Sequence, residues 1–453
     1  MDESRDWRLV AVSAATPAEF RRAAAALADD LALRPSAPLG GQAGPVAPRP
    51  DARYRRAFVA GDTTEAVRRL RRLGPGTGPV ADGPGVVFLI PGVGDHYAGM
   101  GRGLYRREPV FRKWLDRCAE LLIGELGFDL RAELYPDRPD PRPAPAGTHP
   151  SGIDLTKLLD RSGGHRPIER TLVAQPVVFA VEYALARLLL SWGITPAAML
   201  GYSIGEYVAA TVAGVLTLED ALVLVARRAK LVETVAPGGM LVVMLGREAL
   251  AAYLGSELSL AAVNGPQLCV AAGPLPALRH LEQRLTADGV ASVRAGTRHA
   301  FHSRMMASIE APLADLAGTF GLAAPRIPLL SNVSGTWLTD AEATSPAYWA
   351  RHLRQPVRLH DNLTEMWRLP GAVAVEVGAG RMLGGFAAQH PARPPGEPAV
   401  LATLPAATGD RADTAAVLDT AGRLWELGCP VDLTGGDLLG TSAHDHHYLG
   451  SSS

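Results

Sequence analysis

Apolar residues fall into three rhythms along the chain. Val86–Ile90, Ala197–Leu200, Pro328–Val333 and Val373–Gly378 are short and largely unbroken. Runs of that kind suit strands buried on both faces of a parallel sheet. Helical spacing governs Glu108–Leu126, Thr171–Trp192 and Leu218–Thr234. In a third region the strand candidates Met240–Leu245, Ser259–Val263 and Cys269–Gly273 alternate with helical segments at 247–255 and 275–288. That alternation predicts a small α+β subdomain inserted into a larger α/β sheet. Ahead of all this, Arg8–Ser13 and Tyr54–Ala60 read as strands. Thr16-Pro17-Ala18-Glu19 predicts a capping-box helix start running to about Leu33, and Thr63 or Thr64 caps a basic helix through Leu73. Residues 34–50, Gly74–Gly85 and Pro136–Gly164 are rich in Pro and Gly without period, so they read as loops, and the tail from Ser442 reads as disordered.

Composition narrows the class. The chain has 453 residues, 47% hydrophobic and 20% charged, which suits two or three globular units. A net charge of -1 points to neither nucleic acid nor an anionic membrane surface. Cys118, Cys269 and Cys429 are widely spaced, so neither a disulfide framework nor a metal site is expected, and a cytoplasmic location is. The charged start MDESRDWRLV lacks a signal-peptide core. Val177–Leu190 is interrupted by Glu182 and Arg187 and falls short of a membrane span.

Chemistry concentrates at GYSIGEY, residues 201–207, between an apolar run and a helical one. A Gly-x-Ser-x-Gly in that setting is a nucleophile elbow and makes Ser203 a covalent nucleophile. A serine hydroxyl needs a base. His299, His302 and His96 are candidates, with Asp361 and Asp340 as weak third members. The oxyanion hole would draw on the N–H of Ile204 and on that of Val93 in the PGVG turn after Val86–Ile90. Gln175 either starts its helix or faces the site. Arg227, Arg228 and Lys230 read either as a solvated face or as a cluster in which one arginine points inward instead and pairs with a carboxylate. The motif alone leaves esterases, lipases, thioesterases and acyltransferases open.

The ordered blocks resemble the acyltransferase domains of modular type I polyketide synthases, relatives of malonyl-CoA:acyl carrier protein transacylase. They are PGVGDHYAGMGRGLYRREPVFR, AQPVVFAVEYAL, GYSIGEYVAATVAGVLTLEDAL, HAFHSRMM, SNVSGTWLTD, YWARHLRQPVRL, VEVGAG and WELGCPVDL. The resemblance implies an α/β-hydrolase-like parallel-sheet subdomain (83–236 and 302–405) and an inserted ferredoxin-like α+β subdomain (237–301). Flanking them would be an N-terminal α/β linker domain like that between ketosynthase and acyltransferase (1–82), a post-acyltransferase linker (406–440) and a disordered tail (441–453).

Residue by residue, the resemblance makes Ser203 the acylated serine and His302, rather than His299, the base, oriented by a backbone carbonyl. Val93 and Ile204 supply oxyanion N–H groups, Arg228 pairs with the malonyl carboxylate, and Gln175 and Asn264 line the site. Tyr202 stands where the family has His, and Val93 and Asp95-His96 depart from the opening PGQGSQ, so Tyr202 and His96 bear on the acyl group. Phe301, in HAFH, fills the space an α-methyl would need. The implied reaction is ping-pong transfer of malonyl from CoA to the phosphopantetheine thiol of an acyl carrier protein. No bound cofactor is implied. CoA thioester is the donor, the carrier is the partner, and ketosynthase or other synthase modules are further partners, in antibiotic biosynthesis. Three alternatives remain: an unusual extender or a carrier-borne acyl chain, an editing acyl hydrolase, and a catalytically idle docking module. The segment after Leu433 departs from the family's continuation and favours a free-standing enzyme over a domain of a larger synthase.

Overall fold

The computed structural model describes residues 6–33, 39, 52–76, 83–136, 167–396, 399–409 and 411–433. The chain is a mixed α/β protein with a parallel sheet at its centre. Five strands, β3 (Val86–Ile90), β4 (Ala198–Gly201), β9 (Leu329–Leu330), β10 (Val373–Glu376) and β11 (Val400–Ala402), lie in the order β11-β10-β3-β4-β9. Every described pairing in this sheet is parallel. Their carboxyl ends therefore open on one side, where open α/β sheets hold their ligands. Register sets two of those ends together, since Ile90 pairs with Gly201.

The unbroken apolar runs are explained by burial on both faces. Val86, Phe88 and Ile90 face a core shared with the helices Thr171–Ser191 and Leu218–Glu233. Val87 and Leu89 face a second core with the helices Leu359–Trp367 and Met382–Gln389. The helix Thr171–Ser191 has its predicted extent, but the expectation that its apolar stretch falls short of a span is corrected, since by length and composition it is enough to cross a membrane. It is instead the buried central helix of the larger core.

The inserted unit runs β5 (Gly239–Val243), helix Arg247–Leu254, β6 (Ser259–Gly265), β7 (Leu268–Gly273), helix Leu275–Ala287 and β8 (Ser292–Arg294). Its antiparallel sheet has the order β6-β7-β5-β8, a ferredoxin-like arrangement. Three-residue β8 is too short to carry an apolar period of its own. One face packs Ala262 and Val270 against the second core, and Val263 bonds back to Val357 of the larger unit.

At the N-terminus, β1 (Arg8–Ala14) and β2 (Tyr54–Ala60) form an antiparallel pair. Val10, Val12 and Phe58 pack on the helices Pro17–Ala32 and Thr63–Leu70. Leu9, Ala11 and Val59 join the main core, and the helix Asp413–Glu426 packs on β1 and β2. Glu426 accepts from Ala57 N–H at 2.7 Å, which fastens the far end of the described chain to this pair.

Local expectations are corrected in several places. The second helix is capped by Asp62, whose carboxylate accepts from Glu65 N–H at 2.7 Å, because Thr63 already lies inside the helix. Thr16 caps the first helix through Glu19 N–H at 3.2 Å, but the reciprocal bond of the expected capping box is absent among the described residues, where Glu19 Oε2 has no partner. Of the run 328–333 only Leu329–Leu330 pairs as strand, since Ser331 turns the chain by accepting from Val333 and Ser334 N–H. The loop expectations at 34–50, residue 39 apart, and at 137–164, and that for the tail from Ser442, lie outside the described residues.

Candidate active site

The elbow follows from close packing. A Cβ on Gly201 would stand 2.2 Å from Glu206 N, and one on Gly205 would stand 2.2 Å from Ile90 O. Only glycine lets strand, turn and helix pass at that distance. Ser203 itself adopts φ 52°, and His302 φ 55°. They are the two non-glycine residues with positive φ among those described, and such strain gathers at functional sites.

These two residues meet. Ser203 Oγ lies 2.8 Å from His302 Nε2. His302 Nδ1 lies 2.9 Å from Gln355 O, and His302 N–H donates to Leu353 O at 3.0 Å. The group orienting the imidazole is thus a backbone carbonyl. Asp340 sits instead, exposed, in the first turn of the helix Asp340–Ala343, and Asp361 accepts from Arg358 at 2.7 Å. Burial, then the neighbouring His352 and Arg228, lower the pKa of His302 to about 3. Its ring is neutral at physiological pH, with Nε2 free to take the serine proton when Nδ1 donates to Gln355 O.

The other histidines go elsewhere. His299 Nδ1 lies 3.0 Å from Thr171 Oγ1 and its ring meets Phe301 edge-on at 5.9 Å. His96 Nε2 lies 3.1 Å from Ile168 O, and the residue lines a small cavity with Gly92, Glu182 and Ala379.

Backbone donors at the elbow are nearly all used. Ser203 N–H donates to Asn332 Oδ1 at 2.7 Å, Gly205 N–H to Tyr202 O at 2.9 Å and Glu206 N–H to Ser203 O at 3.0 Å. Ile204 N–H has no acceptor among the described residues, and neither has Val93 N–H. The Val93 turn is pressed against the elbow, since a Cβ on Gly92 would meet Tyr202 O at 2.5 Å. Gly92 N–H donates to buried Glu182 Oε1 at 2.8 Å.

The helix Leu218–Glu233 sends its adjacent arginines opposite ways, because consecutive helical residues point about 100° apart. Arg227 is half exposed and binds Glu125 at 2.9 Å. Arg228 is buried, donates to Gln175 Oε1, and lies 5.5 Å from the Tyr207 ring centre. Its Nε has no partner, and no carboxylate pairs with it among the described residues. Buried guanidinium groups without a counter-ion are costly. Tyr202 OH donates to Asn264 Oδ1 of β6 at 3.2 Å, joining the elbow to the inserted sheet.

The sequence reading missed the polar support beneath the elbow. Asn332 Nδ2 donates to Gly201 O at 2.6 Å while its own N–H donates to Glu206 Oε2 at 2.7 Å. Tyr348 OH donates to Glu206 Oε1, and Ser331 Oγ lies 2.6 Å from the same hydroxyl. His352 Nε2 is 3.3 Å from Glu206 Oε2. Asn332, Glu206, Ser331 and Tyr348 are all buried. The available signal was a glutamate opening an otherwise apolar helix, GEYVAATVA.

Comparison with known proteins agrees with this geometry. The family profile described as "Acyl transferase domain" matches residues 87–388. One subunit of the phenolphthiocerol/phthiocerol polyketide synthase of Mycobacterium tuberculosis is 39% identical over 350 residues. That match covers 77% of this chain and 22% of the relative's length. The acyl transferase domain of SpnD, solved in complex with 2-(pent-4-yn-1-yl)malonyl, superposes with a TM-score of 0.78 at 36% identity, covering 95% of this chain and 97% of that one. The acyl transferase domain of ZmaA superposes at 0.80 with 31% identity, covering 95% and 96%.

Proposed function

Since the chain belongs to the acyl transferase domain family of modular type I polyketide synthases, we propose that it moves malonyl from CoA to the phosphopantetheine thiol of an acyl carrier protein through an acyl-Ser203 intermediate. In this reading His302 Nε2 takes the Ser203 proton as Oγ attacks the thioester carbonyl. The oxyanion is received by the N–H groups of Ile204 and Val93. The C–S bond breaks and the departing thiolate takes the proton from His302. The pantetheine thiol then gives its proton to His302 and attacks the acyl-serine, regenerating the hydroxyl.

The observation that carries the choice of malonyl is Arg228, a buried guanidinium held by the neutral amide of Gln175. A bidentate carboxylate from the substrate would complete it. A neutral acyl group would leave it unpaired, which is how buried polar groups reject a wrong substrate. Phe301, which meets His299 edge-on beside the catalytic His302, would support the unbranched acid if it occupies room at the α-carbon, as the HAFH resemblance implies.

A second reading, a malonyl bearing a larger 2-substituent, rests on Tyr202 and on the substituted malonyl bound by the SpnD domain. Both readings are tested by intact mass after incubation with competing acyl-CoAs, malonyl and 2-substituted malonyl among them. A malonyl adduct on Ser203 that is absent from Ser203→Ala is expected, and a predominant 2-substituted adduct decides for the second reading. Arg228→Ala is expected to lose malonyl loading by about 10²-fold or more, the scale of a broken buried charge pair. Unchanged loading would remove Arg228 from the role. Free acid released without a carrier would show an editing hydrolase instead.

A further inference from the structure

We propose that Asn332 is the positioning residue of the nucleophile, and that its side chain leaves Ile204 N–H as the elbow's one open donor. This rests on the reading of Ser203 as nucleophile given above. Asn332 lies two residues beyond β9, which pairs with the elbow strand β4. Its amide spans the turn, with Oδ1 taking Ser203 N–H and Nδ2 reaching Gly201 O. One planar group thereby ties the residues on either side of Tyr202. Ser203 is held at φ 52°, a conformation a non-glycine residue keeps only when its surroundings enforce it. Asn332 is held in turn from below, through its own N–H on Glu206, and Glu206 by Tyr348.

The electrostatic consequence lies in which donor stays open. Without Oδ1, Ser203 N–H would be a second unpaired donor beside Ile204 N–H, and the turn would be free to relax toward an ordinary backbone conformation. The serine oxygen would then leave the 2.8 Å contact with His302 Nε2. Oxyanion holes act because their donors are fixed before the charge develops, so slack in the turn is lost rate.

The test uses two acylating probes on the whole chain: malonyl-CoA, and a neutral fluorophosphonate with no carboxylate for Arg228. The second phosphonylates Ser203 Oγ with loss of fluoride. Asn332→Ala is expected to slow both by about 10²-fold, comparable to removal of an oxyanion donor, with KM for malonyl-CoA within about twofold of wild type. Rates are taken well below the variant's thermal midpoint, so a purely structural role would lower the midpoint and leave them alone. Folded Asn332→Ala that modifies Ser203 within threefold of the wild-type rate overturns the proposal. So does a loss confined to KM with normal phosphonylation. If Asn332→Ala does not fold, Asn332→Asp decides. It keeps the acceptor for Ser203 N–H but sets a carboxylate against Gly201 O, so about a tenfold loss is expected, and wild-type rates overturn the proposal. Wild-type protein that reacts with the fluorophosphonate but not malonyl-CoA defeats the malonyl reading and leaves the Asn332 comparison intact. A wild-type chain inert to both overturns the nucleophile and the proposal together.

Discussion

Neighbouring strands β3 and β4 end in glycine turns that face each other, and the two are built on different principles. The β4 turn is rigid through contact. Gly201 and Gly205 stand where any Cβ would strike backbone, Ser203 is strained, and a neutral amide closes the turn. The β3 turn is rigid at one point. Gly92, with φ 68°, is jammed against the elbow and its N–H is held by Glu182. Gly94 is looser, since a Cβ there would meet only the flexible end of Met382 at 3.3 Å. Burial pushes the pKa of Glu182 well above the usual carboxylate range, with Glu376 adding to the shift and the Gly92 N–H opposing it. A protonated Glu182 and an amide Asn332 share one property: neither sets a negative charge directly against the donors proposed for an oxyanion. In the proposed reaction one turn has to fix the Ser203 hydroxyl against His302, and the other has only to present an N–H.

The largest break in this comparison is expected from Gly205→Ala. Its Cβ meets the Ile90 carbonyl, which cannot swing aside, so about 3 kcal/mol or more of stability should go, at or beyond the usual range for overpacking. Gly94→Ala should stay within about 0.5 kcal/mol, as for an unremarkable site. Denaturant unfolding of the two side by side checks the contrast, and equal losses would erase the distinction between the turns.

Next comes Glu182. Glu182→Ala leaves Gly92 N–H buried and unpaired and should cost about 1–3 kcal/mol. Glu182→Gln keeps an acceptor and should cost less. The pH dependence sharpens this. A carboxyl whose folded pKa lies above its unfolded value binds more protons in the folded chain. Its stabilising contribution is complete below the unfolded pKa, near 4.3, and is lost as pH rises toward the folded one. Thermal midpoints of wild type should therefore fall relative to Glu182→Gln as pH rises above about 4.5. A constant difference would show that Glu182 is ionised in the fold.

The smallest effect concerns His302. With its pKa lowered to about 3, chiefly by burial, it should stay neutral where an ordinary imidazole takes up a proton. The rate of acyl-serine formation in single turnovers should show no His302 limb between about pH 7 and 5. A fall centred near about 6.5 would mean that the site opens to water before reaction.

Much of this site was legible along the chain because the constraint was local. Two glycines flanking a serine between an apolar run and a helix have one low-cost geometry, and that geometry is the elbow. The runs at 86–90 and 373–375 are apolar on both faces because both faces are buried. Spacing could not say which histidine meets Ser203, since His299 and His302 are separated by only two residues and a local turn sends one to Thr171 and the other to the serine. Nor could it choose Arg228 over Arg227, because the choice depends on which side of the helix Leu218–Glu233 packs inward.

Features that depend on near neighbours were therefore written into the chain itself: buried parallel strands, an inserted α+β unit, and a serine on a sharp turn. The support of that turn was settled only by folding. Asn332 is ordinary in its own segment, and it and Glu206 support the elbow together only because β9 lies beside β4. Gln355 orients His302 through a carbonyl that every residue possesses. A side-chain motif records groups that differ between residues. Hydrogen bonds to backbone atoms, made across more than a hundred residues, leave no such mark, and folding is what brings them into range.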